Sequence, residues 1–538
     1  MLVQELLQKY KDNYFLKLVK ARLLSWNKSY QASTNDYFKL FSQDNTNMAV
    51  LKERARVFVW QQNMQEAKTT YDIAINKSFI NSMKKALLPL VDKQKQPQFY
   101  QLLTARTLKG EAYIAYKELK TSFLRHKKQF DFDSQRKIKN IFFRFYSFYA
   151  DAKAFSLEEE EKLYSWNKKH IHALEKQEEL TNFNTKDQEI LFDYANTLCI
   201  LGLYERSLQM HEKILEISPN HPQSILATQL IPRKRRPSLT CIYNAYEELG
   251  RRGVDAIFRN NIDMSWNIAI NYNWTISTSL LQYIDKTYYN RQTYCGNGFD
   301  IALQGLINAY FKVGGHVEQK YYYEEIPGTT TGQAFVNINA KDWVLLELIY
   351  KRENMLDNYF ALKRAVQRNI FDGKFTSNLH HYLKLFFDMQ GSTYNDNNKE
   401  IELQLDLTGQ LTNSPRVLRG SMIVEYKNTQ HKTIYEYTNG FLTNLIYPYW
   451  TPKHYRAARL ALAWRQDLSS SLFCGNLEKY YELKLFVGTD SEKNPMCQFD
   501  ACCHWDQNPH FSLELKGYVN RSRLWCGNAL WFNLNYQF

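Results

Sequence analysis

The sequence predicts an α+β multidomain protein, with an N-terminal α-solenoid of helix hairpins over residues 1–236 and a C-terminal antiparallel transmembrane β-barrel of about sixteen strands over residues 237–538. Three observations support this prediction. Hairpin patterns of small and apolar residues occupy the first part, and hydropathy alternates with a period of two through the second. The segment Asn528–Phe538 keeps this alternation up to Phe538, as a strand with neighbours on both sides would do.

The composition describes an aromatic-rich chain without helical membrane spans. Of 538 residues, 38 are Tyr, 32 are Phe and 11 are Trp, and the mean hydropathy is -0.53. No continuous apolar run is long enough for a transmembrane helix. The net charge of +14 comes from dispersed Lys and Arg, with the exception of Arg233–Arg236, so we do not expect nucleic acid as a partner.

The beginning of the chain and the cysteines give little information on localisation. The first residues are charged and amphipathic, and they lack the order of basic, apolar and small residues of a secretory signal. Taken literally, this predicts a cytoplasmic protein. The eight cysteines show neither paired CxxC spacing nor a dense disulfide framework, so we expect no metal site, and their pairing stays open.

One helix hairpin is specified in detail between Tyr194 and Pro222. Small residues would let its two helices cross closely, Gly202 would allow a tight turn, and Pro219 would end the second helix. The pattern resembles a tetratricopeptide repeat, with Ser207 in place of the usual Ala and His211 in place of an aromatic residue. The matching positions are Ala195, Leu198, Gly202, Tyr204, Ser207, Ile214 and Pro219.

Two earlier stretches keep this pattern more faintly. A repeat needs neighbours to bury its face, so three recognisable units with degenerate helix pairs between them, such as 134–168, predict a solenoid. An unrelated helical bundle is the alternative. We expect the solenoid to bind a partner and to perform no chemistry. The matching positions are Ala55, Phe58, Met64, Ala67, Tyr71 and Ala74 in one stretch, and Gly110, Ala112 and Ala115 in the other.

After Ile231–Leu239, where two prolines bracket four basic residues, the period changes from helical to two. Residues 262–277 alternate almost strictly, over about three times the length of a typical strand. At about 3.3 Å per residue, such a strand would reach roughly 50 Å. This exceeds what crosses a bilayer, so we expect part of it to project into a loop or hairpin.

The alternation recurs to the end of the chain, with an apolar face opposite a charged one. A charge that faces lipid near the midplane costs about 2–4 kcal/mol, so the outer face of a barrel should be almost free of charge. The predicted strands satisfy this condition. We expect tight turns such as Asp506–Pro509 on one side and longer connections such as Asn520–Asn528 on the other. Further predicted strands are 301–313, 379–389, 401–407, 418–426, 481–487, 497–505 and 511–519.

This order of solenoid and barrel resembles the outer-membrane exopolysaccharide export porins of Gram-negative bacteria, of the cellulose-synthase C-subunit and poly-N-acetylglucosamine porin types. The segment Tyr449–Arg465 is similar to their aromatic-aromatic-Ser/Thr-Pro-x-x-Tyr motif, which enters a strand. Tyr536 and the terminal Phe538 resemble the signal that the barrel-assembly machinery reads. The motif residues are Tyr449, Trp450, Thr451, Pro452 and Tyr455.

The resemblance implies a non-enzymatic outer-membrane channel that exports a polymer, such as a biofilm exopolysaccharide, without a cofactor. The helical domain would lie in the periplasm and dock export or synthase-complex proteins. The implied partners are the polysaccharide chain, these proteins, the barrel-assembly machinery and outer-membrane lipid. On this interpretation, the missing signal peptide reflects a misplaced start or a truncated chain. The alternatives are a surface-lipoprotein translocator of the same architecture and a soluble repeat scaffold with a β-sandwich domain.

If the resemblance holds, inward aromatic and charged residues would line the passage, because sugars stack on aromatic faces and hydrogen-bond to polar groups. Each could instead fill the lumen or pair with a neighbouring charge. His380–His381, His504 and His510 lack a metal-ligand pattern, so we expect neither catalytic nor metal-binding residues. The lumen-lining candidates are Tyr310, Glu482, Lys484, Asp500, Glu514, Lys516, Tyr518 and Trp531.

Overall fold

The computed structural model describes the chain in two compact units. The first comprises residues 1–165 and 173–190, and the second comprises 166–172 and 191–538. The described residues are those of 2–538 except 11, 45–46, 88–152, 184–185, 250–256, 289–290, 324–325, 356–358, 381, 432–448 and 470–476.

The described part of the first unit is helical. The sequence-predicted hairpin residues of α4 and α5 are buried, from Ala55 at 0% to Phe58 at 7% exposure. The stretch around Gly110 and most of 134–168 lie outside the described residues. The helices are α1 (Leu2–Lys9), α2 (Tyr14–Trp26), α3 (Tyr30–Gln43), α4 (Met48–Trp60), α5 (Met64–Leu87), α6 (153–166) and α7 (His170–Phe183), and α6 and α7 extend into the segment 166–172.

Buried charges connect α4 and α6 within the first unit. The Arg56 guanidinium donates to both carboxylate oxygens of Glu158, at 2.6 and 3.2 Å, and to Asp187 at 2.8 Å. Lys52 also pairs with Asp187, at 2.7 Å. Burial opposes the ionisation of Asp187, yet the charges of Arg56 and Lys52 hold the pKa of this carboxyl below its usual range. The cluster therefore requires charged carboxylates.

Left-handed residues recur at fixed intervals in the helix turns. Lys28 and Gln62 have positive φ and lie 34 residues apart, and Lys168 and Gly202 repeat this spacing. At the same offset after all four turns, a small residue is buried, namely Ser33, Ala67, Ala173 and Ser207. Ser33 and Ser207 each donate to the carbonyl of an alanine twelve residues earlier, at 2.8 and 2.7 Å. This is the period of a tetratricopeptide repeat. Membership of that family stays a prediction.

Short helices precede the barrel in the chain. Gly202 adopts a φ of +79° in the turn between α8 and α9, and α9 ends at Ile217, two residues before Pro219. Both features agree with the predicted hairpin. The elements are α8 (Gln188–Ile200), α9 (Tyr204–Ile217), α10 (Pro222–Leu230) and a 3-10 helix (Ile231–Arg235).

The remainder of this unit is a closed antiparallel barrel of 16 strands, which confirms the predicted fold class. β1 pairs with β16 from Ser238↔Gln537 to Leu249↔Cys526. We call the end where β1 begins the near end and the opposite end the far end. The strands are β1 (Ser238–Leu249), β2 (Ile257–Ala269), β3 (Trp274–Thr287), β4 (Thr293–Asn308), β5 (Phe311–Tyr322), β6 (Thr329–Ala340), β7 (Val344–Asn354), β8 (Gln367–His380), β9 (Leu383–Tyr394), β10 (Lys399–Gln410), β11 (Arg416–Thr429), β12 (Tyr455–Asp467), β13 (Lys479–Asp490), β14 (Pro495–Asn508), β15 (Phe511–Ser522) and β16 (Cys526–Gln537).

Three predicted strands are in fact hairpins, because alternation continues through their turns. β2 ends at Ala269 and β3 begins at Trp274, with Asn271 Oδ1 accepting from the backbone N–H of Asn273 and Trp274 at 2.8 and 2.9 Å. Ile268 pairs with Ile276, so even-numbered residues of both strands share one face. The same reason makes 301–313 two strands with a turn at 309–310, and 379–389 two strands that meet near Tyr382.

The outer face of the barrel is free of charge along the middle of every described strand. This face carries exposed apolar side chains such as Met264, Leu405 and Leu530. Its charged residues all lie within three residues of a strand end, which agrees with the cost of placing charge in lipid. They are Glu247, Lys286, Arg352, Lys399, Arg416, Arg456, Lys479 and Arg521.

Among the described residues, no helix has the length and apolar character needed to cross a membrane.

Candidate functional site

The inner face of β13 to β16 carries seven of the eight predicted lumen-lining residues. Register places Lys484 opposite Asp500 and Lys516 opposite Trp531. Glu482, Glu514 and Tyr518 lie on the same face, because each is two positions from Lys484 or Lys516 on its own strand. The structure places these side chains on the inner face of the sheet, while their role in a passage stays a prediction.

The two lysines of this set each pair with a glutamate of their own strand. Lys484 Nζ lies 2.8 Å from a carboxylate oxygen of Glu482, and Lys516 Nζ lies 2.7 Å from one of Glu514. The rings of Tyr518 and Trp531 are tilted against each other, with centroids 5.8 Å apart. The inner wall here is polar, with compensated charge and one aromatic pair.

Tyr310 does not lie on the strand wall, contrary to the prediction. It occupies the turn between β4 and β5, where its backbone N–H donates to Asn308 Oδ1 at 2.8 Å and its carbonyl accepts from the Asn339 N–H at 2.8 Å. The error has the same origin as the overlong strand 301–313, because the alternation does not reveal the turn.

A cavity of about 390 Å³ lies inside the far end of the barrel. Its lining comes from β1 and from β10 to β15, together with two far-end connections. Sequence analysis identified only Tyr518 of this set as lumen-lining. The lining residues are Glu248, Glu402, Glu425, Tyr426, Lys427, Trp450, Tyr455, Arg459, Phe486, Met496, Gln498, Tyr518, Asn520 and Trp525.

Ion pairs compensate much of the charge in this cavity. Lys427 Nζ lies 3.1 Å from Glu400 and 3.3 Å from Glu402, and Arg459 pairs with Glu425. Arg368 extends the network, because it contacts Glu400 at 3.4 Å as well as a carboxylate of β7. The cavity thus presents fixed hydrogen-bonding groups with little uncompensated charge.

Aromatic residues supply flat surfaces beside these charges. Trp450 stands edge-on to Tyr455, with centroids 4.9 Å apart, and Lys427 lies over its ring at 5.4 Å. Trp450 and Trp525 both pack against a buried cluster that includes Tyr455 and Met496. Trp450 and Tyr455 belong to the sequence motif of Tyr449–Arg465, which was the available signal for this site.

The described part of the connection between β7 and β8 folds against the inner wall. It contains a short helix, α11 (Tyr359–Lys363), and Leu362 in this helix is buried with Ile257, Tyr294 and Ile326 at the far ends of β2 to β5. No pattern in the sequence predicts this connection. Leu362 therefore attaches α11 to the inner wall at the far end.

Tyr449 anchors the described residues that lead into β12. Its ring stacks on Tyr394 at 4.3 Å with an interplanar angle of 4°, and it is fully buried. Its hydroxyl donates to Asp396 at 2.8 Å and accepts from the Asn398 side-chain amide at 3.0 Å. Trp450 follows directly in the chain, so these contacts hold it at the cavity wall.

At the near end, the barrel turn between β6 and β7 caps helix α7. Asp342 Oδ2 accepts from the backbone N–H of Ile171 at 2.6 Å and of His172 at 3.0 Å. The next residue, Trp343, lies under Lys169 Nζ, at 3.8 Å from the ring centroid. A carboxylate at this position satisfies helix N–H groups and interacts favourably with the helix dipole.

The described residues contain no group of three or more His, Cys, Asp or Glu that could hold a metal ion. His504, one of the histidines considered from the sequence, lies 3.1 Å from Asp506 and 3.7 Å from Glu514. These contacts form a polar network on the inner wall.

Comparison with known proteins gives similar structures only. No protein-family model and no curated protein matches the chain. The chain is similar to a bacterial polysaccharide outer membrane secretin, at 11% identity over 57% of this chain and 99% of that one, with a TM-score of 0.46. It is similar to OprD from Pseudomonas aeruginosa (9% identity, 57% and 94% covered, TM-score 0.29) and to CdiB from Acinetobacter baumannii (9% identity, 56% and 60% covered, TM-score 0.33). The function is therefore inferred from the residues of this chain.

Proposed function

We propose that this chain is a non-enzymatic channel of the outer membrane that exports a polymer, with an exopolysaccharide as its cargo. The contrast between the two faces of the closed barrel carries this proposal. The outer face has a charge-free apolar belt that suits lipid, while the inner face presents polar, charged and aromatic groups that suit a hydrated passage.

The far-end cavity supports a sugar as the transported unit. Trp450 and Tyr518 offer flat aromatic surfaces, and the carboxylates and cations beside them offer hydrogen bonds. A volume of about 390 Å³ lies in the range of small-molecule sites, so it can admit a few sugar residues at a time.

The other parts of the chain have corresponding roles in this proposal. The helical part lies in the periplasm and docks synthase-complex proteins, and the seven candidate residues on the inner wall guide the polymer. Tyr536 and Phe538 act as the assembly signal. The backbone N–H of Phe538 donates to the Pro237 carbonyl at 3.1 Å, so this residue sits beside the seam between β1 and β16.

Planar-bilayer recordings of the full chain test the proposal. We expect stepwise ion conductance, with block by neutral cello-oligosaccharides that Trp450→Ala weakens roughly three- to tenfold, because one stacking contact is lost. Trp505→Ala, on the outer face of β14, is the matched control and should leave the block unchanged.

Two results would count against the proposal. Absence of conductance would exclude a channel, and conductance with no block by any oligosaccharide would exclude the sugar cargo. Block by acylated peptides alone would instead favour the lipoprotein translocator.

A further inference from the structure

The turn between α6 and α7 lies against the near end of the barrel. Trp166 stands edge-on to Tyr382 of the β8–β9 turn, with centroids 6.0 Å apart, and Asp342 caps the helix that follows. Lys168 occupies the left-handed position of this turn, with a φ of 59°. Contacts on both sides of Lys168 therefore hold it at the near end of the lumen.

Two cations of the inner wall lie close to this position. Lys384 is the second residue of β9 and pairs with Thr408 of β10, while Arg419 of β11 pairs with Gln410 of β10. Strands β9 and β11 are separated by two strand spacings, about 10 Å, so the long side chains of Lys384 and Arg419 can converge above β10. We call Lys168, Lys384 and Arg419 the basic cluster.

The basic cluster carries more positive charge than its protein partners neutralise. Among the described residues, no carboxylate lies within ion-pair distance of Lys168 or Lys384. Arg419 lies 3.5 Å from Glu482, and Lys484 contacts the same carboxylate at 2.8 Å. Partial desolvation and the positive charges of Arg419 and Lys384 lower the pKa of Lys168, so the three cations influence one another.

An anion would relieve this repulsion. The lysines of the cluster are exposed, so their ammonium groups are accessible from the lumen. The far-end cavity differs in this respect, because its carboxylates pair with Arg368, Lys427 and Arg459. Uncompensated positive charge is therefore concentrated where a polymer would enter.

We propose that the basic cluster is a binding site for anionic oxygen groups, such as carboxylates, carried by the polymer that enters the barrel. This inference rests on the proposed channel function, and it gives the cargo a chemical class, an acidic polysaccharide. Lys168 and Lys384 supply ammonium groups that no carboxylate of the described residues contacts, and Arg419 supplies a guanidinium for a second contact.

Block of the reconstituted channel by oligogalacturonate, added on the near-end side, tests the inference. We expect Lys384→Gln to weaken this block at least about tenfold, because the attraction of an unpaired cation for an anion is lost. Lys374→Gln is the matched control, since it removes one inner-wall lysine of the adjacent strand that already pairs with Asp372 at 3.2 Å. Lys168 belongs to the turn between α6 and α7 and not to the barrel wall. Lys168→Gln should nevertheless weaken the block by oligogalacturonate as Lys384→Gln does.

Further measurements distinguish free phosphate from the polymer as the source of the anion. They also distinguish a failure of the basic cluster from a failure of the channel proposal. We expect inorganic phosphate to block weakly and cello-oligosaccharide block to be equal in all variants. Phosphate that blocks as well as oligogalacturonate would overturn the assignment to the polymer. Equal oligogalacturonate block in Lys384→Gln and Lys374→Gln would overturn the site. A wild-type chain without conductance would refute the channel proposal itself.

Discussion

A charge placed in the middle of the outer belt should destabilise the barrel far more than the same charge one residue away. Leu405 lies near the centre of β10, is 42% exposed, and pairs with Phe387 and Val424 on the two neighbouring strands. Leu405→Arg therefore puts a guanidinium among apolar side chains that face lipid. We expect the free energy of unfolding to fall by about 2–4 kcal/mol, the range measured for such positions.

Gln404→Arg is the matched control because Gln404 precedes Leu405 and faces the lumen. Its neighbours across the strands are Asp388 and Glu425, so an arginine there meets carboxylates in a hydrated space. We expect this variant to change the unfolding free energy by less than about 1 kcal/mol, as surface ion pairs do. The two variants differ by one position and have the same charge.

Urea titration of the barrel refolded into phospholipid vesicles measures both variants. A difference of 2–4 kcal/mol corresponds to roughly a 30- to 900-fold change in the unfolding equilibrium constant. If Gln404→Arg were the more damaging variant, or if both were neutral, the assignment of the two faces would be wrong.

Four further predictions concern other parts of the chain. Leu362→Asp should detach α11 from the inner wall and raise single-channel conductance, because a buried carboxylate is costly, while the volume-conserving Leu362→Met should not. Arg56 and Lys52 lower the pKa of Asp187, so this carboxylate stabilises the first unit above its ordinary pKa of about 4 and loses that effect as pH falls. The melting temperature of the helices, measured by circular dichroism, should accordingly fall by about 5 °C or more between pH 7 and pH 3, and by less in Asp187→Asn. Asp342→Ala should cost α7 about 1 kcal/mol, seen as roughly fivefold faster hydrogen exchange in its first turn, and unchanged exchange would exclude the cap. Deletion of Phe538 should abolish barrel assembly in cells while the helices still fold, and normal assembly would count heavily against the signal.

The sequence predicted which face of a strand each side chain occupies better than it predicted where each strand ends. Alternation assigned Leu530, Phe532 and Trp531 to their correct sides of β16, because a period of two is fixed by strand geometry. It missed the turn at Asn271–Asn273, because the register there keeps even-numbered residues on the same face. It also missed the turn that holds Tyr310.

The candidate site was predictable only in part for a related reason. Lumen residues on strands, such as Glu514 and Lys516, follow from the alternation. Trp450, Leu362 and Lys168 lie in connections, where no periodicity indicates which side chains fold inward. Their positions depend on contacts between segments far apart in the chain, such as the stacking of Tyr394 on Tyr449.

The seam between β1 and β16 has a consequence for folding kinetics. It joins Ser238 to Gln537, so this ladder spans nearly the whole barrel sequence. Loop-closure entropy and high contact order make such pairing slow compared with the local hairpins. Until the seam forms, both terminal strands expose unpaired backbone groups to neighbouring chains. We therefore expect the rate of seam pairing to limit maturation, and barrels caught before that step to associate edge to edge.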